Sequence, residues 1–139
     1  MLRRRFIANG RRPTTNGFPM TVRRMKTYTG GQGYVYQYYF VGKRAAITDR
    51  SEASATEYVF DVTSDRKITF AVSVFLMEDA AIQWAAHHKR ALTDAERYGA
   101  VKMRLFQAFD DIENMMAEGR RLIISVQDLE ELLTSLGVD

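Results

Sequence analysis

The sequence predicts an α+β fold: an antiparallel sheet of three to four strands, covered on one face by two or three helices, in the order β-β-β-α-α-β-α, behind a basic arm. Three observations carry this. Aromatic and β-branched runs with a two-residue alternation occupy positions 34–41, 57–62 and 67–76. Apolar residues at spacings of three and four, with capping signatures, dominate positions 78–136. Residues 1–26 hold eight basic residues and no acidic one, which sets them apart from everything that follows.

The arm carries Arg3, Arg4, Arg5, Arg11, Arg12, Arg23, Arg24 and Lys26, together with both prolines of the chain. Its few apolar residues follow no period, so it buries too little surface to offset chain entropy, and it is expected to be disordered. The other 113 residues hold 12 basic and 17 acidic side chains, so a +8 arm precedes a body of −5 within a chain of net charge +3. The high isoelectric point therefore belongs to the arm. Four readings of it compete. The first is an upstream extension ahead of a start at Met20 or Met25. The others are a tether to phosphate or an anionic surface, a segment lying on the anionic body, and a targeting peptide; the absence of serine counts against the last. The body, 27–139, is large enough for one domain with its own core.

Gly30-Gly31-Gln32-Gly33 marks a turn. It fits a GxxG phosphate loop by spacing, but it precedes a strand instead of joining two helices, so a structural turn is the reading taken. Tyr34–Val41 alternates Tyr34, Tyr36, Tyr38 and Phe40 against Val35, Gln37, Tyr39 and Val41, which predicts a strand ended by Gly42. A polar loop is expected from there to about Thr56, with an extended stretch at Ala45–Ile47 as the alternative. Glu57–Val62 is the second strand and Thr63–Arg66 a turn. Lys67–Leu76 is its hairpin partner, with Ile68, Phe70, Val72, Val74 and Leu76 on one face.

Glu78 to Arg90 predicts a helix with acids first and bases last. Thr93-Asp94-Ala95-Glu96 is a capping box opening a second helix, expected to run to about Glu118 and stop at Gly119. Its buried stripe is Tyr98, Val101, Leu105, Phe109, Ile112 and Met116, with Met103, Phe106 and Met115 off centre. Leu122–Ile124 is a short strand, and Ser125–Asp128 caps a last helix through Leu136.

Chemistry-bearing motifs are sparse. There is no cysteine, which excludes disulfides, thiolate zinc sites, iron–sulfur clusters and cysteine nucleophiles. No apolar run reaches the length of a membrane span, and the expected location is cytoplasmic. His87 and His88 are the two histidines of the chain; being adjacent, they point about 100° apart on a helix. A ligating pair sits four residues apart, so no metal is expected. Asp110, Asp111 and Glu113 read as a solvated acidic face. No GxSxG, HExxH or Walker sequence occurs, and no cofactor is expected.

The leading functional expectation is a small non-catalytic module that binds a protein partner or itself. Its surface would be the sheet face around Gln37 and Tyr39, or the leucine face of the last helix (Leu129, Leu132, Leu133, Leu136), which also matches an LxxLL docking pattern. Those four leucines are equally an ordinary core stripe. Two alternatives stand beside it. One is nucleic-acid binding, with the arm's basic residues on phosphates and tyrosines stacking on bases, which the anionic body opposes. The other is a small-molecule or enzymatic pocket between sheet and helices near Tyr36, Tyr38, Asp61, Trp84 and His88.

Overall fold

The computed structural model describes residues 25–48 and 53–139. The basic residues at 3–5, 11, 12, 23 and 24 lie outside that range, and with them the expectation of a disordered arm; Lys26 lies inside it. The described residues form β1 (Lys26–Thr29), β2 (Val35–Ile47), β3 (Ser54–Thr63), β4 (Phe70–Met77), α1 (Glu78–His88), α2 (Asp94–Asp111), α3 (Met115–Glu118), β5 (Arg121–Ile124) and α4 (Val126–Ser135). The fold is α+β, as the sequence predicts. The sheet is larger and of a different kind: five strands in spatial order β1-β2-β3-β4-β5, with β1 to β4 an antiparallel meander and β5 parallel to β4. A tight turn reverses the chain, so β3 and β4 must be antiparallel. The three helices between β4 and β5 return the chain to the end where β4 began, and β5 then runs the same way.

β1 is the strand that periodicity did not show. Four residues are too few to display an alternation, and its first residue, Lys26, falls in the stretch assigned to the arm. It pairs with the start of β2, Lys26 opposite Tyr38 and Thr29 opposite Val35. The glycine cluster is the turn of this hairpin: Gly30 N–H donates to Tyr34 O (2.8 Å), and Gly33 adopts a positive φ of 91°. Asp110 of α2 clamps the turn, accepting from Gly31 N–H (2.8 Å) and from the Tyr28 hydroxyl (3.0 Å). Gly30 passes so close to α2 that an added Cβ would lie 2.7 Å from the Phe109 carbonyl oxygen.

Gly42 does not end β2. The register shifts between Phe40 and Gly42, so Val41 is an extra residue, and pairing then continues to Ile47 opposite Ser54. Such a bulge preserves a strand through a glycine by flipping the alternation. Most of the expected polar loop is thus strand.

The helices pack on the face carrying Tyr36, Tyr38, Tyr58, Phe60, Val62, Val72, Val74 and Leu76, all buried. α2 supplies the rings that meet the tyrosines: Phe109 stacks on Tyr36 (4.1 Å, 7°), and Phe106 stacks on Tyr28 (4.3 Å, 5°). Tyr98 meets Phe40 edge-on at 5.1 Å.

Both capping boxes form, Thr93 with Glu96 and Ser125 with Asp128. The second helix, however, ends at Asp111, not near Glu118. Ile112 is extended (φ −101°, ψ 116°), and the Asn114 side chain accepts from Ala117 N–H to open α3. The break resets the helical phase. Met115 is buried and Met116 is 46% exposed, the reverse of the expected stripe.

Candidate functional site

The candidate residues from sequence reach four different places. Leu129, Leu132 and Leu133 are buried in the core, and only Leu136 of that set is exposed. The leucine face of the last helix is therefore core packing apart from its end. Tyr36, Tyr38 and Trp84 of the expected pocket are buried too, packed in the core between sheet and helices, and of the three only Tyr36 reaches a hollow. Asp61 and His88, the other two members of that pocket set, lie apart from each other, on the far sheet face and at the α1 end.

His88 stacks on Trp84 (4.1 Å, 15°), and its Nε2 lies 3.0 and 3.1 Å from the two carboxylate oxygens of Glu130 on α4. Arg90 covers Trp84 at 5.0 Å and forks onto Glu96 with two bonds of 2.9 Å. That fork, with the Thr93 N–H, holds the Glu96 carboxyl down to about 2. The cluster joins α1, α2 and α4. No group of three His, Cys, Asp or Glu able to hold a metal occurs among the described residues. Among them, no helix is long and apolar enough to cross a membrane.

The sheet face turned away from the helices is polar by design of its alternation. Tyr39 donates to Asp61 across the β2–β3 pair (2.8 Å). Glu57 lies on the same face and is buried; it accepts from Arg44 Nε (2.8 Å) and from the Ser73 hydroxyl (2.6 Å). Burial pushes the Glu57 carboxyl up. The Arg44 and Ser73 bonds and the charges of Arg44 and Arg121 outweigh it, and hold the group below the ordinary carboxylate range. Phe75, beside it, lies under the Arg121 guanidinium at 4.7 Å.

The molecule is concave at the tip of the β3–β4 hairpin. There, two hollows flank Ser64 and Asp65, which belong to both linings. On the helix side is a groove of about 510 Å³, reaching from Tyr34 across Ile68 to Met116, with Asp65, Glu113 and Glu118 among its walls. On the other side is a hollow of about 300 Å³ bounded by Thr27, Val35, Gln37 and Arg66. Four large apolar side chains stand exposed around them: Tyr34 (45%), Val35 (48%), Ile68 (53%) and Met116 (46%). The hairpin tip that separates the hollows is tied together by local hydrogen bonds. Thr63 Oγ1 accepts from Arg66 N–H (3.0 Å), and Asp65 Oδ1 accepts from Lys67 N–H (2.8 Å) and Ile68 N–H (3.0 Å). Arg66 takes the left-handed conformation (φ 64°) that this turn demands.

Of the sequence candidates, Gln37 and Tyr36 line these hollows. Tyr34, Ile68 and Met116 were missed as a group. Ile68 and Met116 each continue an apolar stripe in sequence, and only the start of β4 at Phe70 and the break after α2 take them out of it. Compared with known proteins, the chain matches no family model, no curated protein and no solved structure.

Proposed function

We propose that the protein is a non-catalytic interaction module that docks a protein partner at the β3–β4 hairpin end of its sheet. The observation that carries this reading is the gathering of Tyr34, Val35, Ile68 and Met116, all exposed, around two adjoining hollows. Exposed apolar residues scattered singly are ordinary; several around one concavity with a polar rim favour docking. Gln37 contributes a side-chain amide to the smaller hollow, which keeps part of the sheet surface expected from sequence within the site. The three carboxylates in the groove wall oppose a polyanion, so a nucleic-acid partner at this end is disfavoured.

The test is a photo-crosslinking side chain placed at Tyr34 or Met116, with exposed Gln83 on α1 as the control position. A defined protein adduct at the first two positions and none at the control supports the reading. Adding Ile68→Asp should then reduce that adduct by about tenfold or more, because a charge is forced into a desolvated contact. Equal labelling at all positions, no crosslink at Tyr34 or Met116 either within the chain or to a second protein, or indifference to Ile68→Asp, overturns it. An adduct whose mass is twice the chain identifies the partner as a second copy.

A further inference from the structure

The geometry points to one occupant for the groove: the chain's own basic N-terminal segment, seated through Phe6 and Ile7 with its arginines against the carboxylate wall. This rests on the docking-surface reading above and names what holds the groove until a partner displaces it.

Charge is the first argument. Among the described residues, the groove lining holds Asp65, Glu113 and Glu118 and no basic residue. The nearest positive charges on the hairpin are Arg66, which lines the other hollow, and Lys67. Residues 1–24 hold seven arginines and no acid, the opposite sign in concentrated form. Asp65 is kept ionised by the N–H groups of Ile68 and Lys67, which hold its carboxyl below the usual range.

Apolar matching is the second. Arg3-Arg4-Arg5-Phe6-Ile7 and Arg11-Arg12 bracket two large apolar side chains with guanidinium groups on both sides. The groove offers the complement, Tyr34, Ile68 and Met116 exposed beside carboxylates. Arginine stems also cover apolar surface while their heads meet acids.

Attachment is the third. The segment joins the body at β1, and Thr27 of β1 is itself a wall of the smaller hollow. About fifteen residues separate Arg12 from Thr27, a reach of up to ~50 Å. Occupancy in cis therefore benefits from an effective concentration in the millimolar range, which a free peptide of the same sequence lacks.

The experiment uses the full chain and limited trypsin digestion, following cleavage after Arg4, Arg5 and Arg11. A synthetic peptide of residues 1–24 gives the unprotected rate. Docking predicts cleavage about tenfold slower in the protein than in the peptide at low salt, since only the undocked fraction is cut. Protection should vanish near ~0.5 M salt, where exposed charges are screened. It should also vanish in Met116→Ser and in Glu113→Lys/Glu118→Lys, whose three sites are exposed and whose thermal melting reports that the body still folds. Phe6→Ser removes the larger of the two apolar side chains assigned to the groove and should release the Arg11 site equally. Cleavage at the peptide's rate overturns the proposal, as does protection that survives these substitutions. Protection that rises with protein concentration also overturns it, by placing the segment on a second copy. A crosslinked partner at Tyr34 with no protection of the segment leaves the docking surface standing and removes only its assigned occupant.

Discussion

β3 meets two environments on alternate residues, and the contrast between its faces explains how this molecule is held together. Tyr58, Phe60 and Val62 point into a dry aromatic and aliphatic layer under the helices. Glu57, Val59 and Asp61 point the other way, where Arg44, Ser73 and Tyr39 from the neighbouring strands answer the two acids. On the first face, area removed from water does the stabilising, and partners are interchangeable within the limits of packing. On the second, the stabilising interactions are specific pairs, and each acid depends on named donors. The two faces should therefore fail differently.

The largest effect is expected at Phe60, which is fully buried and touches the Phe40, Tyr38 and Tyr98 rings. Phe60→Ala should destabilise by about 3–5 kcal/mol in urea unfolding, the cost of lost burial plus a cavity. A loss under about 1 kcal/mol would mean the helical layer collapses onto the gap and is not rigidly packed.

Glu57→Gln comes next, at about 1–2 kcal/mol near neutral pH, since two charge-assisted bonds weaken while the exposed side of Arg44 screens part of the pair. The sign with pH follows from the lowered carboxyl. The stability that Glu57 adds is fully present above the ordinary glutamate value of 4.5, and is lost as pH falls through its lower value in the fold. The gap between parent and Glu57→Gln should close on acidification; a gap constant down to acid pH would place the effect in packing instead.

Gly30→Ala should cost about 1–3 kcal/mol, because the new Cβ meets the Phe109 carbonyl, backbone on a helix that cannot swing aside. Hydrogen exchange should quicken in β1 and the Gly30–Gly33 turn before it does elsewhere. The smallest effect is expected at Val59, half-buried on the polar face: Val59→Ala should cost no more than about 1 kcal/mol. Equal losses at Phe60 and Val59 would erase the distinction between the faces.

Much of this could be read in the sequence where the signal is a repeat within one segment. The alternation in β3 and β4, the capping threonine and serine, and the stop of α1 near His88 all depend on neighbours a few residues apart. Two local signals were present but outweighed. Asn114 is a helix cap in the middle of an apparent stripe, and Ile112 and Met116 kept the right spacing across a break. Gly42 looked like a terminator, yet the partner strand bridged it with a bulge. β1 had no readable signal, since it is a strand because β2 and α2 hold it in place.

Local periodicity was enough to assign α+β character, the two-faced alternation of the tyrosine strand and the helix starts, because alternation and turn spacing are properties of a few consecutive residues. Strand number, the parallel placement of β5 and the groove at the hairpin tip came from contacts between distant segments. Tyr28 meets Asp110 from 82 positions away, and Tyr34, Ile68 and Met116 converge from three separate stretches of the chain. A docking surface is made of such convergence, and nothing in the spacing of its members along the chain encodes which of them will be neighbours in space.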